Sequence, residues 1–124
     1  MRKNIVILDD ELDIGYLLKS NIGTEIYDVF CFQDLKSGIQ ETEKLNPLFL
    51  FIDINFPDGN GLDYVPYLKS TLPECIIIVI SAYDEESLIQ RALSSGAQDF
   101  LPKPFTRDMV LGRISKFSMQ GSLS

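Results

Sequence analysis

Five side chains able to do chemistry sit where apolar runs give way to loops. Asp9 and Asp10 follow residues 5–8, Asp53 follows residues 48–52, Ser81 follows residues 76–80, and Lys103 lies just past residues 99–101. Short runs of Ile, Val, Leu and Phe without polar alternation read as strands buried on both faces. In open parallel sheets, ligands bind outside the carboxyl ends of the strands, so these five residues are expected to share one rim. Three carboxylates so close together repel, and their apparent pKa values rise as a coupled set. A cation relieves that cost. Mg²⁺ suits the site, being a hard ion that takes one or two carboxylates, keeps several waters and completes its shell with phosphate oxygens. Lys103 adds a second positive charge and Ser81 a hydroxyl donor. Metal, cation, donor and an oxygen nucleophile are the parts that phosphoryl transfer requires.

The rest of the chain reads as scaffold for that rim. After the strand at residues 5–8, Ile14, Leu17, Leu18 and Ile22 recur at helical spacing, and Gly23 ends the helix. Residues 27–32 alternate more, as an edge strand does. Asp34 is placed to cap a helix carrying Leu35, Ile39 and Leu45, which Asn46-Pro47 terminates. After the strand ending in Asp53 comes Ile54-Asn55-Phe56-Pro57-Asp58-Gly59-Asn60-Gly61, dense in turn-forming residues. The next helix carries Leu62, Val65 and Leu68, with Pro66 tolerable only in its first turn. A strand at residues 76–80 follows, then a helix capped by Asp84 with Leu88, Ile89, Ala92 and Leu93, stopping at Gly96. A short fifth strand leads to Pro102-Lys103-Pro104, and Thr106 caps a last helix through Met109, Val110, Ile114 and Phe117. Alternating strands and helices imply a doubly wound parallel α/β sheet.

Composition narrows the class of function. The chain has 124 residues, 45% of them apolar, which fits one domain with a real core. Its net charge of −7 argues against nucleic acid as a direct partner, since phosphate binding needs a basic face. No apolar run approaches the ~20 residues of a membrane span, and no signal peptide is evident. Cys31 and Cys75 both fall in predicted strands and read as buried free thiols of a cytosolic protein. Histidine, the commonest general base, is absent. The charges on the last two helices, Asp84, Glu85, Glu86, Arg91, Arg107, Arg113 and Lys116, read as a solvated face. Residues 1–119 are expected to form the domain and residues 120–124 a tail.

Four features in this order, Asp9-Asp10, Asp53 with Pro57 and Gly61, Ser81-Ala82, and Lys103-Pro104, resemble the receiver domain of two-component response regulators. The likeness runs from about Asn4 to Phe117. It implies a flavodoxin-like (βα)5 fold with strand order 2-1-3-4-5. It also implies that Asp53 takes a phosphoryl group from a sensor histidine kinase or a histidine phosphotransfer protein. Asp10, Asp53 and the backbone carbonyl of Asn55 would hold Mg²⁺, with Asp9 acting partly through water. Lys103 would pair with Asp53 and then with phosphoryl oxygens, and the Lys103-Pro104 bond would be cis. Ser81 would turn toward the phosphoryl group and Phe100 move inward behind it, changing the face of the fourth helix, fifth strand and fifth helix. That face would act on an output domain or effector protein, or form a homodimer, in the cytoplasm. A chain of this kind catalyses only its own phosphorylation and dephosphorylation.

This sequence departs from the commonest family pattern at two places. Ser81 stands for the more frequent Thr, and Phe100 for the more frequent Tyr. A phenylalanine has no hydroxyl to solvate, so a ring that is inward, or split between two rotamers, is expected even before phosphorylation. Asn55 and Tyr83, each two residues past a site residue, would set how water reaches the phosphoryl group. Two other readings make different demands on these residues. A receiver-like module with constitutive binding would not need Asp9, Asp10, Asp53, Ser81 and Lys103 all intact. A Mg²⁺-dependent small-molecule phosphatase would want an aspartate at Asn55 and a cap domain.

Overall fold

The structure, a computed structural model, describes residues 3–123, with side chains as far as Ser118. Five parallel strands form the main sheet: β1 (Lys3–Leu8), β2 (Tyr27–Phe32), β3 (Phe49–Asp53), β6 (Ile76–Ser81) and β7 (Asp99–Pro102). Their order is β2-β1-β3-β6-β7. A two-stranded hairpin, β4 (Asn55–Phe56) with β5 (Gly59–Asn60), occupies the turn-rich stretch after β3. Leaving the hairpin aside, the order is the expected 2-1-3-4-5. The helices are α1 (Leu12–Ile22), α2 (Leu35–Leu45), α3 (Val65–Thr71), α4 (Glu86–Ser94) and α5 (Arg107–Leu123), with a 3-10 turn at Gly61–Tyr64 before α3.

The parallel sheet divides the interior into two cores because successive strand residues face opposite sides. On one side Leu50 and Ile52 of β3 meet Leu35 and Ile39 of α2, Leu68 of α3 and Ala92 of α4. On the other, Phe49 and Phe51 meet Leu18 of α1 and Val110, Ile114 and Phe117 of α5. The Tyr27 and Phe49 rings stand nearly perpendicular at 6.4 Å, and Phe49 lies beside Phe51 at 6.5 Å. β3, buried on both faces, is the middle strand of the sheet, and it ends at Asp53.

Several local expectations need correction. Asp34 stands at the cap position of α2 but makes no side-chain cap bond. Asp58 does so instead, accepting from the amides of Leu35 at 3.2 Å and Lys36 at 3.1 Å. Glu85 rather than Asp84 precedes α4. Cys75 is buried but lies one residue before β6. Leu17 and Leu93 are exposed, because α1 and α4 bury narrower stripes than their apolar residues suggest. Thr106 caps α5 as expected, its hydroxyl accepting from the Met109 amide at 3.1 Å. Of the expected tail, the backbone is helical as far as Leu123. Ser124, like the side chains from 119 onward, lies outside the described residues.

Arg113 is not part of a solvated face. It is half-buried, donates to the carbonyls of Phe100 at 3.0 Å and Met109 at 3.4 Å, and stands 3.7 Å from Asp99. The other charged residues expected on that face are exposed.

Candidate functional site

The carboxyl ends of β1, β3 and β7 bring Asp9, Asp10, Asp53 and Lys103 together, as their positions in the sequence imply. Carboxylate oxygens of Asp9, Asp10, Glu11 and Asp53 lie within 4.8 Å of one another. Asp9 and Asp53 are buried, whereas Asp10 and Glu11 are exposed. Lys103 reaches into the cluster. Its Nζ is 3.0 Å from Asp9 Oδ2, 3.0 Å from Glu11 Oε1 and 3.4 Å from Asp53 Oδ2. The lysine thus stands closer to Asp9 and Glu11 than to the aspartate with which it was expected to pair.

Backbone amides hold the buried carboxylates in place. The Glu11 amide donates to Asp9 Oδ1 at 2.9 Å, and the Ile54 amide donates to Asp53 Oδ1 at 2.9 Å. Asp9 Oδ2 makes no aligned hydrogen bond, although Lys103 is near it. Such a buried oxygen is costly unless something else shares its charge.

Electrostatics follow from this geometry. Burial pushes the Asp53 carboxyl up to about 6, and the nearby Asp9 charge adds to the rise, against Lys103 and the Ile54 amide. Burial also raises Asp9, against the Glu11 amide and Lys103. For Lys103 burial favours the neutral amine, but Asp9, Glu11 and Asp53 outweigh it and hold the ammonium above its ordinary value. One lysine therefore serves several acids. A hard divalent cation fits this donor set, with clustered carboxylate oxygens, one of them lacking a hydrogen-bond partner.

Asp10, Glu11, Asp53, Asn55, Ala82, Tyr83 and Lys103 line a cavity of about 290 Å³. A neighbouring cavity of about 390 Å³ includes Asn55, Ser81, Tyr83, Leu88 and Arg91 in its wall. Asn55 and Tyr83 border both, whereas Ser81 lines only the second. The buried Ser81 hydroxyl accepts from the Tyr83 amide at 3.0 Å. Tyr83 itself is 61% exposed. Phe100 is buried in the core beneath α4, an inward ring. The Lys103-Pro104 bond is cis.

The loop after Asp53 is closely fitted. The Gly61 amide donates to the Ile54 carbonyl at 2.7 Å, and a Cβ at Gly61 would collide with the Asp53 carbonyl oxygen. Only glycine allows that approach. Two participants were not singled out from the sequence. Glu11 could have been, as the third acid in the run Asp9-Asp10-Glu11. Asp58 had no local signal, because its partners lie over twenty residues away, at 22 and 23 positions.

Comparison with known proteins agrees with the fold. Residues 5–115 match the family model of the response regulator receiver domain. The chemotaxis protein CheY of Thermotoga maritima is 29% identical over 95% of this chain and 99% of its own length. The KDP operon transcriptional regulatory protein KdpE of Escherichia coli is 35% identical over 82% of this chain, which spans 45% of that longer protein. Among solved structures, the CheY-like response regulator receiver domain protein of Methanospirillum hungatei superposes with a TM-score of 0.89 over 100% of both chains at 23% identity. Among the described residues, no helix is long and apolar enough to cross a membrane. A family-model match across most of the chain, on this fold and with this acidic rim, establishes that the chain belongs to the response regulator receiver domain family.

Proposed function

We propose that this receiver domain is a phosphorylation-dependent switch whose acceptor is Asp53. The observation that carries the reading is the placement of Asp53: buried at the end of the middle strand, beside Asp9 and within 3.4 Å of the Lys103 ammonium. With its pKa at about 6, the carboxylate is mostly ionised at neutral pH and able to attack. A carboxylate oxygen of Asp53 attacks the phosphorus of a phosphohistidine on a sensor histidine kinase or phosphotransfer protein. The O–P bond forms as the P–N bond breaks, and the departing imidazole keeps the electron pair and takes a proton from solvent. Lys103 stays within reach of the incoming oxygens and stabilises their charge.

Mg²⁺, when bound, neutralises phosphoryl charge and so lowers the barrier. Asp10, Asp53 and the Asn55 carbonyl would hold it, with Asp9 acting through water. Ser81 then turns from the Tyr83 amide toward the phosphoryl group, which shifts the population of the α4–β7–α5 face. That face controls an output domain or effector, or pairs with a second copy. The chemistry is confined to the domain's own phosphorylation and dephosphorylation, in the cytoplasm.

Incubation with a small phosphodonor and Mg²⁺, followed by mapping of the acyl phosphate, tests the assignment. Label is expected on Asp53 and nowhere else. Undiminished labelling of Asp53→Ala would overturn it and leave constitutive binding as the better account.

A further inference from the structure

The hairpin that carries Asn55 is fixed at its base and tied at its tip by one side chain. At the base, the Ile54 amide bonds Asp53, the Gly61 amide bonds the Ile54 carbonyl, and Asn60 Oδ1 accepts from the Leu62 amide at 2.8 Å. At the tip, Asp58 spans to the start of α2 and accepts from both the Leu35 and Lys36 amides. The helix amides hold the Asp58 carboxyl below its ordinary range. The packing is close beside it, where a Cβ at Gly59 would stand 3.0 Å from Leu35 Cδ2. Asp34, at the cap position of that helix, offers no competing side-chain bond.

Asn55 opens the same hairpin, pairs with Asn60 across it, and lines the acidic cavity. The lean of the hairpin therefore decides where the Asn55 backbone stands relative to Asp10 and Asp53. The two helix amides engage the Asp58 carboxylate, so it acts on the site through position and not as a ligand. We propose that Asp58 is a positioning residue of the cation site, fixing the Asn55 carbonyl by fastening the hairpin to α2. The proposal rests on the reading of the acidic cavity as a Mg²⁺ site. Residues that orient metal ligands without touching the metal commonly govern affinity by about 10–100-fold.

The test is a Mg²⁺ titration, followed by calorimetry and by backbone NMR, on the parent, Asp58→Ala, Asp58→Asn and Asp34→Ala. Asp58→Ala is expected to bind about tenfold more weakly, with faster amide exchange at Leu35, Lys36 and Phe56 before any metal is added. Asp58→Asn, whose single amide oxygen can serve only one of the two helix amides, should fall between the parent and Asp58→Ala. Asp34→Ala should match the parent. In phosphorylation assays the Mg²⁺ concentration for half-maximal rate should rise in Asp58→Ala, while the rate at saturating Mg²⁺ is kept. If Asp58→Ala does not fold, Asp58→Glu, whose longer side chain overshoots both amides, carries the same comparison.

Parent-like Mg²⁺ affinity in Asp58→Ala, with protection lost at Leu35 and Lys36, would make Asp58 a helix cap only and overturn the proposal. Equal weakening in Asp58→Asn would overturn the route through the cap. A parent that binds no Mg²⁺ would overturn the cation-site reading, and this inference with it.

Discussion

Along β3, Phe49, Leu50, Phe51 and Ile52 have no exposed surface and fill two cores, while the next residue, Asp53, is buried with a charge to keep. The first four gain from leaving water. The fifth loses by it, and its neighbours divide one lysine between them. Stability is thus concentrated in the middle of the sheet, and reactivity at its carboxyl rim is held there at a cost. Functional sites often carry such local conflicts, which the surrounding core must outweigh.

The largest expected effect lies on the stable side of that contrast. Phe51→Ala should remove about 3–5 kcal/mol, since it empties space between β3 and the α1–α5 layer that neighbours cannot refill. Denaturant unfolding measures this, and a loss below about 1 kcal/mol would mean that the middle strand is not the anchor described here.

The rim should respond to charge instead. Mg²⁺ at about ten times its dissociation constant should stabilise the parent by about 1.4 kcal/mol, or roughly 5 °C in melting temperature. Asp10→Ala should abolish that response and phosphorylation together. An Asp10→Ala protein that Mg²⁺ still stabilises as it does the parent would place the cation elsewhere.

The smallest effect is expected at Tyr83. Its ring borders the acidic cavity but is 61% exposed, so it can shield the phosphoryl group from water only in part. Tyr83→Ala should speed loss of the acyl phosphate by roughly twofold, about 0.4 kcal/mol in the barrier. An equal or slower rate would remove any shielding role.

What could be read from the sequence follows the same division. The apolar run ending in Asp53 announced both a doubly buried strand and a charge at its end, because burial on two faces suppresses polar alternation. The rim could be assembled from strand ends alone. Contacts made by loops across the sequence could not. Asp34 has the residue type and position of a cap, yet Asp58 supplies the bonds, because the hairpin tip happens to reach α2. Arg113 looks like any helix-surface cation, and only the placement of α5 beside β7 turns it toward the Phe100 carbonyl. Leu17 fits the helical period of α1 but falls outside the stripe that meets the sheet.

The central claim, that the rim carries charge at the expense of stability, is tested most directly by unfolding the parent and Asp53→Asn from pH 4 to pH 8 with a chelator present. The folded protein holds the Asp53 proton to about pH 6, well above the ordinary 3.8, so it binds more protons than the unfolded chain between those values. Stability from this group therefore falls as pH rises through that window, and the deficit persists above it. Asparagine keeps the acceptor for the Ile54 amide without the charge. Asp53→Asn should exceed the parent by on the order of 1–2 kcal/mol at neutral pH, after allowance for screening by water at the open rim, with the gap closing toward pH 4. A parent as stable as Asp53→Asn at neutral pH, or more stable, would contradict the account.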